Sequence, residues 1–170
     1  RLLSRGLGDV YKRQMVDLVA STGVWVCVMH MKGVPRTMQD DPQYENVVEE
    51  VRDFLSSRVS ALIGAGVAPN KILIDPGIGF GKNIQHNLEL LKTGRGLISH
   101  DGVGILWGVS RKKMFADLLG RMSAEKRLAG TLGVAAAGYF SEIDVLRVHD
   151  VEPHSDLLRS LHSVYRGGVM

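Results

Sequence analysis

The sequence predicts an α/β fold built on one parallel sheet, and three observations support this. Short apolar runs alternate with longer segments of helical periodicity, in the order β-α-β-α-β-α-β-α. The connections are short, which favours parallel strands joined by right-handed crossovers. Each apolar run also ends in a short polar motif. Because the carboxyl ends of parallel strands lie on one side of a sheet, we expect the four motifs to converge on one site.

The elements follow from these patterns in chain order. The predicted strands are 24–29, 71–74, 104–109 and 144–148. They are apolar throughout rather than alternating, so we expect both faces of the sheet to be covered. The predicted helices are 45–65, 84–92, 111–119, 123–140 and 153–165.

Two of these helices carry further signals. The apolar face of the first consists of Val47, Val51, Phe54, Leu55, Leu62 and Ile63. Gly66 is placed to end this helix. Ser123 is expected to cap the fourth helix, with Glu125 in its favourable first turn.

Four βα units are half of an eight-unit parallel barrel. A complete barrel typically needs ~250 residues, and this chain has 170. An open doubly wound sheet is the structural alternative. Position 1 is Arg rather than Met, so we expect a fragment, with residues 1–14 a non-native leader and 15–170 the domain.

Charge and composition exclude several classes of function. The formal net charge is +3, and residues 1–14 account for all of it, since the remainder has 17 basic and 17 acidic side chains. No excess positive charge is left for binding nucleic acid. No run approaches the ~20 apolar residues that span a membrane. The single cysteine, Cys27, allows no intrachain disulfide and is expected to be a buried apolar residue, which fits a reducing cytoplasm.

The motif at residues 75–82, DPGIGFGK, resembles a phosphate-binding loop only superficially. A P-loop needs Gly where Pro76 stands and Ser or Thr where Asn83 stands, and a dinucleotide fingerprint needs Gly in place of Lys82. The glycines instead predict a tight loop that presents Asp75. Its carboxylate could accept two hydrogen bonds from a flat N-heterocycle, or it could simply cap the following turn.

The other motifs supply cations and donors. Lys112, in GVSRK at 108–112, follows a strand end. Arg111 and Lys112 would both oppose the dipole of a helix that starts there, so their position indicates a role other than stabilising the helix. Arg147 and His149 share one face of their predicted strand, suited to stacking on a ring and binding phosphate. A salt-bridged Arg and a core His remain the alternative. His30 has no metal-ligand spacing to another His, Cys or carboxylate, and its flanking methionines are typical of core packing.

Four motifs in this order and spacing resemble dihydropteroate synthase over about residues 15–165. They are MHM at 29–31 followed by Gly33 and Pro35, DPGIGFGK at 75–82, GVSRK at 108–112 and RVHD at 147–150. The resemblance implies the C-terminal half of a TIM barrel. It also implies that 6-hydroxymethyl-7,8-dihydropterin diphosphate condenses with p-aminobenzoate to 7,8-dihydropteroate in folate synthesis, with Mg²⁺ and release of diphosphate. A cytoplasmic homodimer that binds neither nucleic acid nor membrane is implied as well.

The same resemblance implies roles for individual residues. Asp75 and Lys112 would bind the pterin, Arg147 would stack on it, and Arg147 and His149 would hold the diphosphate. Lys112, Arg147 and His149 would thus be the catalytic residues. No metal ligand is expected, because the family's Mg²⁺-binding Asn belongs to the half that this sequence does not match.

The aminobenzoate pocket is implied in the same way. Met29 and Phe80 would line it, Gly108 would border it, and Ser110 would lie near the carboxylate. Two alternatives remain open: a pterin-binding methyltransferase domain of the same barrel type, and a non-catalytic truncated remnant. The methyltransferase would share the Asp but would not need the Arg147 and His149 pair.

Overall fold

Four parallel strands form one sheet in the order β1-β2-β3-β4, with helices between them along the chain. The computed structural model of the protein describes residues 9–168, with side chains from residue 14 onward. Residues 1–8 of the predicted leader lie outside that range, and the boundary at residue 14 stays a prediction. The elements are α1 (Asp9–Thr22), β1 (Val26–Met29), α2 (Val47–Gly64), β2 (Ile72–Asp75), α3 (Ile84–Thr93), β3 (Gly104–Trp107), α4 (Met114–Leu119), α5 (Leu128–Phe140), β4 (Val145–Leu146) and α6 (Val151–Tyr165).

The register of the strands sets the position of the site. Met29 pairs with Asp75 at the ends of β1 and β2. Trp107 pairs with Leu146 at the ends of β3 and β4. All three pairings are parallel. The polar segments that follow the strands therefore leave the sheet at one edge, as the sequence predicts.

Three strands are shorter than predicted, and the first of them, β1, begins at Val26 rather than at residue 24. β3 ends at Trp107 rather than at residue 109, and β4 contains only Val145 and Leu146. The shared strand face predicted for residues 147 and 149 is therefore wrong, because both lie beyond the strand. One ladder-like hydrogen bond continues past β4, from the amide N–H of Arg147 to the carbonyl of Trp107 at 2.9 Å.

The prediction that both sheet faces are covered is wrong for the outer strands. Val145 in β4 is 36% exposed. Cys27 in β1 is only partly buried, and so is its partner Leu73 in the neighbouring central strand β2. Within the described residues β1 and β4 each have a single neighbour, so their far sides lack the packing that a complete sheet would give.

Helix α2 is confirmed, with its start moved to Val47. The side chain of Asn46 accepts hydrogen bonds from the amides of Val48 and Glu49, both at 3.1 Å, and so caps the helix. The buried face is Val47, Val51, Leu55, Val59 and Leu62. The predicted members Phe54 and Ile63 are partly buried against the same core.

Two helical predictions need correction. Ser123 makes no capping hydrogen bond with its side chain; a 3₁₀ turn at Ala124–Arg127 comes first, and α5 begins only at Leu128. Helix α1 was not predicted. Part of it lies in residues 1–14, which are set apart as a leader because of their excess positive charge.

The core lies between the central strands and the helices. Its largest fully buried side chains include Leu55, Ile72, Ile74, Leu90, Leu97, Ile105, Trp107 and Phe115. Among residues 9–168, no helix has the length and apolar character needed to cross a membrane.

Candidate active site

Asp75, the last residue of β2, is buried below the surface of the site. The residue is 3% exposed, and its Oδ1 accepts a hydrogen bond from the amide of Gly77 at 2.8 Å. Gly77 has φ +69°, and a Cβ there would lie 1.8 Å from the carbonyl oxygen of His30. Only glycine fits this approach. Asp75 therefore does cap the following turn, and its second oxygen remains directed to other groups.

Arg147 supplies the charge nearest to that second oxygen. Its Nη2 lies 4.0 Å from Oδ2 of Asp75, and its side chain is 49% exposed. A Cβ on Gly108 would lie 2.6 Å from the same Nη2, so the guanidinium packs directly against the glycine backbone. Burial raises the pKa of Asp75 above its ordinary value, against the opposing effects of the Gly77 amide and of the Arg147 and Lys112 cations.

Lys112 lies on the ring of Phe80. Its Nζ is 3.8 Å from the ring centroid, which is a close cation–π contact. Burial lowers the pKa of Lys112 to about 8; the carboxylate of Asp75 opposes this shift, and the cation of Arg147 adds to it. The ammonium is therefore mainly charged at neutral pH, within the electrostatic reach of both residues.

Ser110 and His149 form a hydrogen-bonded pair across two strand ends. Ser110 Oγ accepts the amide N–H of His149 at 3.1 Å and lies 2.9 Å from His149 Nδ1. Ser110 is buried, whereas His149 is exposed. We assign the hydroxyl proton to the bond with Nδ1, because a neutral imidazole has one acceptor nitrogen and Nδ1 faces this hydroxyl. The imidazole then carries its own proton on Nε2, which can donate to a ligand.

Arg111 points away from this cluster. Its backbone is left-handed, at φ +56°, and its guanidinium forms a two-point ion pair with Asp150, with Nε to Oδ2 at 3.0 Å. Its amide donates to Thr131 Oγ1 at 3.1 Å, and its carbonyl accepts from Arg127 at 3.0 Å. The two predicted cations thus separate into a structural Arg111 and a site-facing Lys112.

Sequence reasoning missed Lys82 and His30. It used Lys82 only to reject a dinucleotide fingerprint, and it assigned no role to His30. In the structure Lys82 is 3% exposed, and its Nζ lies 2.9 Å from Nδ1 of the buried His30. A lysine inside a glycine-rich loop that follows a buried strand was the available signal.

Two residues of β1 border the site. Met29 Cγ would lie 3.5 Å from a Cβ on Gly77, so Met29 packs on the loop beside Asp75. Burial, with a contribution from Asp75, raises the pKa of Cys27 to about 12. The thiol is therefore protonated at neutral pH, which agrees with the apolar role predicted for it.

The structure thus brings the predicted residues to one end of the sheet. They are Met29, Asp75, Phe80, Gly108, Ser110, Lys112, Arg147 and His149. Their individual roles stay predictions. A carboxylate bordered by three donors or cations, with an aromatic ring beside it, can bind a flat polar heterocycle and an anion together.

The same residues do not form a magnesium site by themselves. Within residues 9–168 no three His, Cys, Asp or Glu side chains group closely enough to hold a metal ion. Mg²⁺ prefers one or two free carboxylates with water and phosphate oxygens. Asp75 already binds the Gly77 amide and faces Arg147.

Comparison with known proteins agrees with this geometry. Residues 6–149 match the sequence model of a family described as pterin binding enzymes. Dihydropteroate synthase of Neisseria meningitidis serogroup B is 42% identical over 155 residues, which cover 90% of this chain and 54% of that protein. The chain therefore spans about half the length of the curated relatives it matches.

Solved structures give the same picture. Dihydropteroate synthase from Stenotrophomonas maltophilia, with imidazole bound in its active site, superposes with a TM-score of 0.84 at 38% identity, over 90% of this chain and 57% of that one. The enzyme from Thermus thermophilus in complex with 6HMPPP gives a TM-score of 0.82 at 35% identity, over 90% of this chain and 60% of that one. The four-stranded sheet corresponds to about half of their barrel, so the alternative of an open doubly wound sheet is excluded.

Proposed function

Since the chain belongs to the family of pterin-binding enzymes, we propose that it carries the C-terminal part of a dihydropteroate synthase active site. The proposed reaction condenses 6-hydroxymethyl-7,8-dihydropterin diphosphate with p-aminobenzoate and releases diphosphate, in folate biosynthesis. One observation carries the proposal. The buried carboxylate of Asp75 lies 4.0 Å from the guanidinium of Arg147, with Lys112 and Phe80 on the neighbouring loops.

Asp75 and Arg147 suit the pterin diphosphate. A flat pterin presents neighbouring amino and ring N–H donors, and a buried carboxylate is a strong acceptor for such a pair. The exposed guanidinium packs against the backbone of Gly108, so its plane is available for stacking and its edge for phosphate. Binding of an anion at Arg147 would also compensate the positive charge that it shares with Lys112.

In the proposed reaction, the site would act mainly by stabilising negative charge on the departing diphosphate. The bond between the pterin methylene carbon and the diphosphate oxygen breaks, and the arylamine nitrogen attacks the same carbon. Arg147 and the Nε2–H of His149 would stabilise the negative charge that develops on the leaving oxygen. The arylamine then loses a proton, and no covalent bond to the protein is needed.

Lys112 and Ser110 belong to the same proposal. The Lys112 ammonium over Phe80 could meet the pterin carbonyl and one side of the aminobenzoate pocket. Ser110 is proposed to lie near the aminobenzoate carboxylate, although its hydroxyl already holds His149. A second effect of Ser110, through the orientation of His149, is therefore part of its role.

Three further features are proposed on family resemblance. They are a requirement for Mg²⁺, a homodimeric assembly and a cytoplasmic location. No three His, Cys, Asp or Glu side chains among the described residues could hold the ion by themselves. Oxygens of the diphosphate and water would supply most of its ligands, and no step of the chemistry above depends on it.

The proposal is tested with a chimera, in which residues 15–170 of this chain follow the N-terminal half of the Neisseria meningitidis relative. With pterin diphosphate, p-aminobenzoate and Mg²⁺, the folded chimera is expected to form dihydropteroate. An Asp75→Asn variant should lose about 100-fold or more in kcat/KM, because it loses charged hydrogen bonds to the pterin. Lys113→Ala, at an exposed neighbour of the site, is the matched control and should keep full activity.

Two results would reject the proposal. One is a chimera that melts cooperatively but makes no product, and the other is an Asp75→Asn variant as active as its parent. Methyl transfer from methyltetrahydrofolate by the same chimera would favour the methyltransferase alternative. The Ser110 and His149 pair argues against that outcome, because a methyl transfer releases no anionic leaving group for it to stabilise.

A further inference from the structure

Lys82 has no place in the proposed chemistry, yet it is one of the most buried polar residues of the chain. It lies at the end of the loop that follows Asp75, and only 3% of the residue is exposed. Lysine is almost never buried to this extent without partners. Its position therefore calls for a function other than solubility, and its Nζ is directed at protein acceptors rather than at a ligand.

The three donors of the Lys82 ammonium are matched by three acceptors. Nζ lies 2.9 Å from His30 Nδ1, 3.1 Å from the carbonyl oxygen of Gly77 and 3.0 Å from that of Phe80. Burial lowers the pKa of Lys82 to about 7, against the opposing effect of the Asp75 carboxylate, so the ammonium predominates below neutral pH. In that form Lys82 has three N–H groups and no lone pair, and this arrangement satisfies all three. Two of the acceptors belong to the very loop that presents the Asp75 carboxylate and the Phe80 ring.

His30 is fitted to accept one of these bonds. Burial, and after it the cations of Lys82 and Lys32, lowers the pKa of His30 to about 3. The imidazole is therefore neutral at pH 7, and its Nδ1 is an acceptor. Its ring is held by Phe54 in an edge-on contact with centroids 5.0 Å apart. His30 is thus a fixed anchor in the segment after β1, to which Lys82 ties the loop after β2.

From these contacts we propose that Lys82 is a positioning residue, which with His30 fixes the loop of residues 76–81 in the conformation that presents Asp75 and Phe80. The inference rests on the proposed function only where it treats these two residues as ligand-binding. Without the ammonium, the carbonyls of Gly77 and Phe80 lose a buried donor, so the loop is expected to open more often. A positive charge close to the Asp75 carboxylate would be lost as well.

The test compares Lys82→Met with Lys92→Met in the full 170-residue chain. Methionine has an unbranched apolar side chain one atom shorter than that of lysine, and it has no donor. Lys92, exposed in α3, is the matched control. Hydrogen–deuterium exchange is expected to accelerate about tenfold or more in residues 76–81 of Lys82→Met. Exchange in α2 should be unchanged, and Lys92→Met should match the parent chain throughout.

A second measurement separates positioning from simple packing. The side-chain carboxyl of Asp75, observed by ¹³C NMR, should titrate at higher pH in Lys82→Met, because a cation that stabilises its charged form is gone. His30→Leu, which removes one acceptor and leaves both carbonyls paired with Lys82, should give a smaller acceleration in the same peptide. If Lys82→Met does not fold, the exchange of residues 76–81 in His30→Leu tests the positioning role instead.

The exchange experiment tests the positioning role of Lys82 independently of the proposed function. Unchanged exchange in residues 76–81 of both variants, or uniform acceleration across α2 as well, would overturn the positioning role. Binding of 6-hydroxymethylpterin is then measured by calorimetry with the same substitution in the chimera, where Lys82→Met should bind about tenfold more weakly. If the parent chimera binds no pterin while the exchange result holds, the proposed ligand fails and the positioning role stands.

Discussion

The loop after β2 and the segment after β4 hold their predicted ligand-binding residues in opposite ways. In residues 76–82 the backbone carbonyls of Gly77, Gly79, Phe80 and Gly81 accept hydrogen bonds from Lys82, Gln39 and Tyr44 side chains. Asp75 at the base of this loop is nearly inaccessible. In residues 147–150, which follow a strand of only two residues, Arg147 and His149 are exposed.

The difference indicates when each half of the site becomes ordered. The conformational entropy of the β2 loop is lost on folding, so a ring that binds at Asp75 meets groups already in place. The Arg147 side chain packs on Gly108 but is half exposed, so it has more freedom to adjust than Asp75. If the proposed function holds, the ring of the substrate would meet a preformed side of the site, and the departing diphosphate would meet an adaptable one.

The largest expected effect concerns the open edge beside the β4 segment. The 170-residue chain alone is expected to have little or no synthase activity, whereas the chimera is active. Within the described residues β1 and β4 have one neighbour each, and the site lacks half of the barrel's loops. Turnover of both proteins is measured under identical conditions. Comparable rates would show that the exposed segment needs no further support.

The second effect tests the rigidity of the β2 loop. Gly77→Ala should lower the free energy of unfolding by about 2–5 kcal/mol, through left-handed strain and overlap with the backbone of His30. Urea denaturation measures it. Gly133→Ala in α5, where a Cβ would meet nothing within 4 Å, is the control and should stabilise slightly. Equal stabilities would mean that the loop is not rigid.

Lys112 connects the two regions, because it contacts Phe80 of the first and lies near Arg147 of the second. In the chimera, Lys112→Ala should remove a hydrogen bond from a charged group, which costs about 1.5–3 kcal/mol. The value of kcat/KM should therefore fall by about one to two orders of magnitude. Steady-state kinetics and a thermal melt are measured together. A loss of activity explained wholly by a lower melting temperature would make Lys112 structural.

Gly108→Ala is the same change as Gly77→Ala, made beside the exposed Arg147. Its Cβ would meet Arg147 Nη2 at 2.6 Å, but this side chain is half exposed and can move. We expect stability within about 1 kcal/mol of the parent and a KM for pterin diphosphate raised about tenfold in the chimera. A large loss of stability would show that the β4 segment is as rigid as the β2 loop.

A pH dependence of stability is also expected, and it comes from His30. Its folded pKa of about 3 is below the ordinary value of about 6.5. Stability from the neutral imidazole is therefore present above pH 6.5 and lost as pH falls through 3. Burial and the cations of Lys82 and Lys32 favour this shift, and Glu50 opposes it. Between these limits the free energy of unfolding should fall more steeply than in His30→Gln, by up to about 1.4 kcal/mol per pH unit.

From β1 onward, the sequence was sufficient for the order of strands and α-helices and for the edge at which the site lies. Apolar runs identify strands, and parallel pairing then places Asp75, Lys112 and Arg147 together. It was insufficient where tertiary contacts override local pattern. The end of β4 at Leu146 and the outward turn of Arg111 toward Asp150 depend on contacts between distant segments.

The burial of Lys82 is a second feature that depends on contacts between distant segments. A lysine is charged and is expected at the surface, so periodicity gives no reason to bury it. The three acceptors that make burial possible come from His30, 52 positions earlier, and from two carbonyls whose direction depends on glycine conformations. The glycine-rich loop marks Lys82 as unusual, but no local pattern identifies these three acceptors.

The paired carbonyls of the β2 loop also bear on selectivity. Gly77, Gly79, Phe80 and Gly81 have each accepted a donor from the protein itself. A visiting molecule with scattered donors would compete with the protein's own donors at these carbonyls, and the Asp75 carboxylate would be the strongest acceptor on this wall. Molecules that concentrate two adjacent N–H groups on one edge could use it fully, whereas isosteres lacking one of them would leave a buried charge poorly solvated. The loop would thus reject the wrong ring because its own polar groups are already occupied.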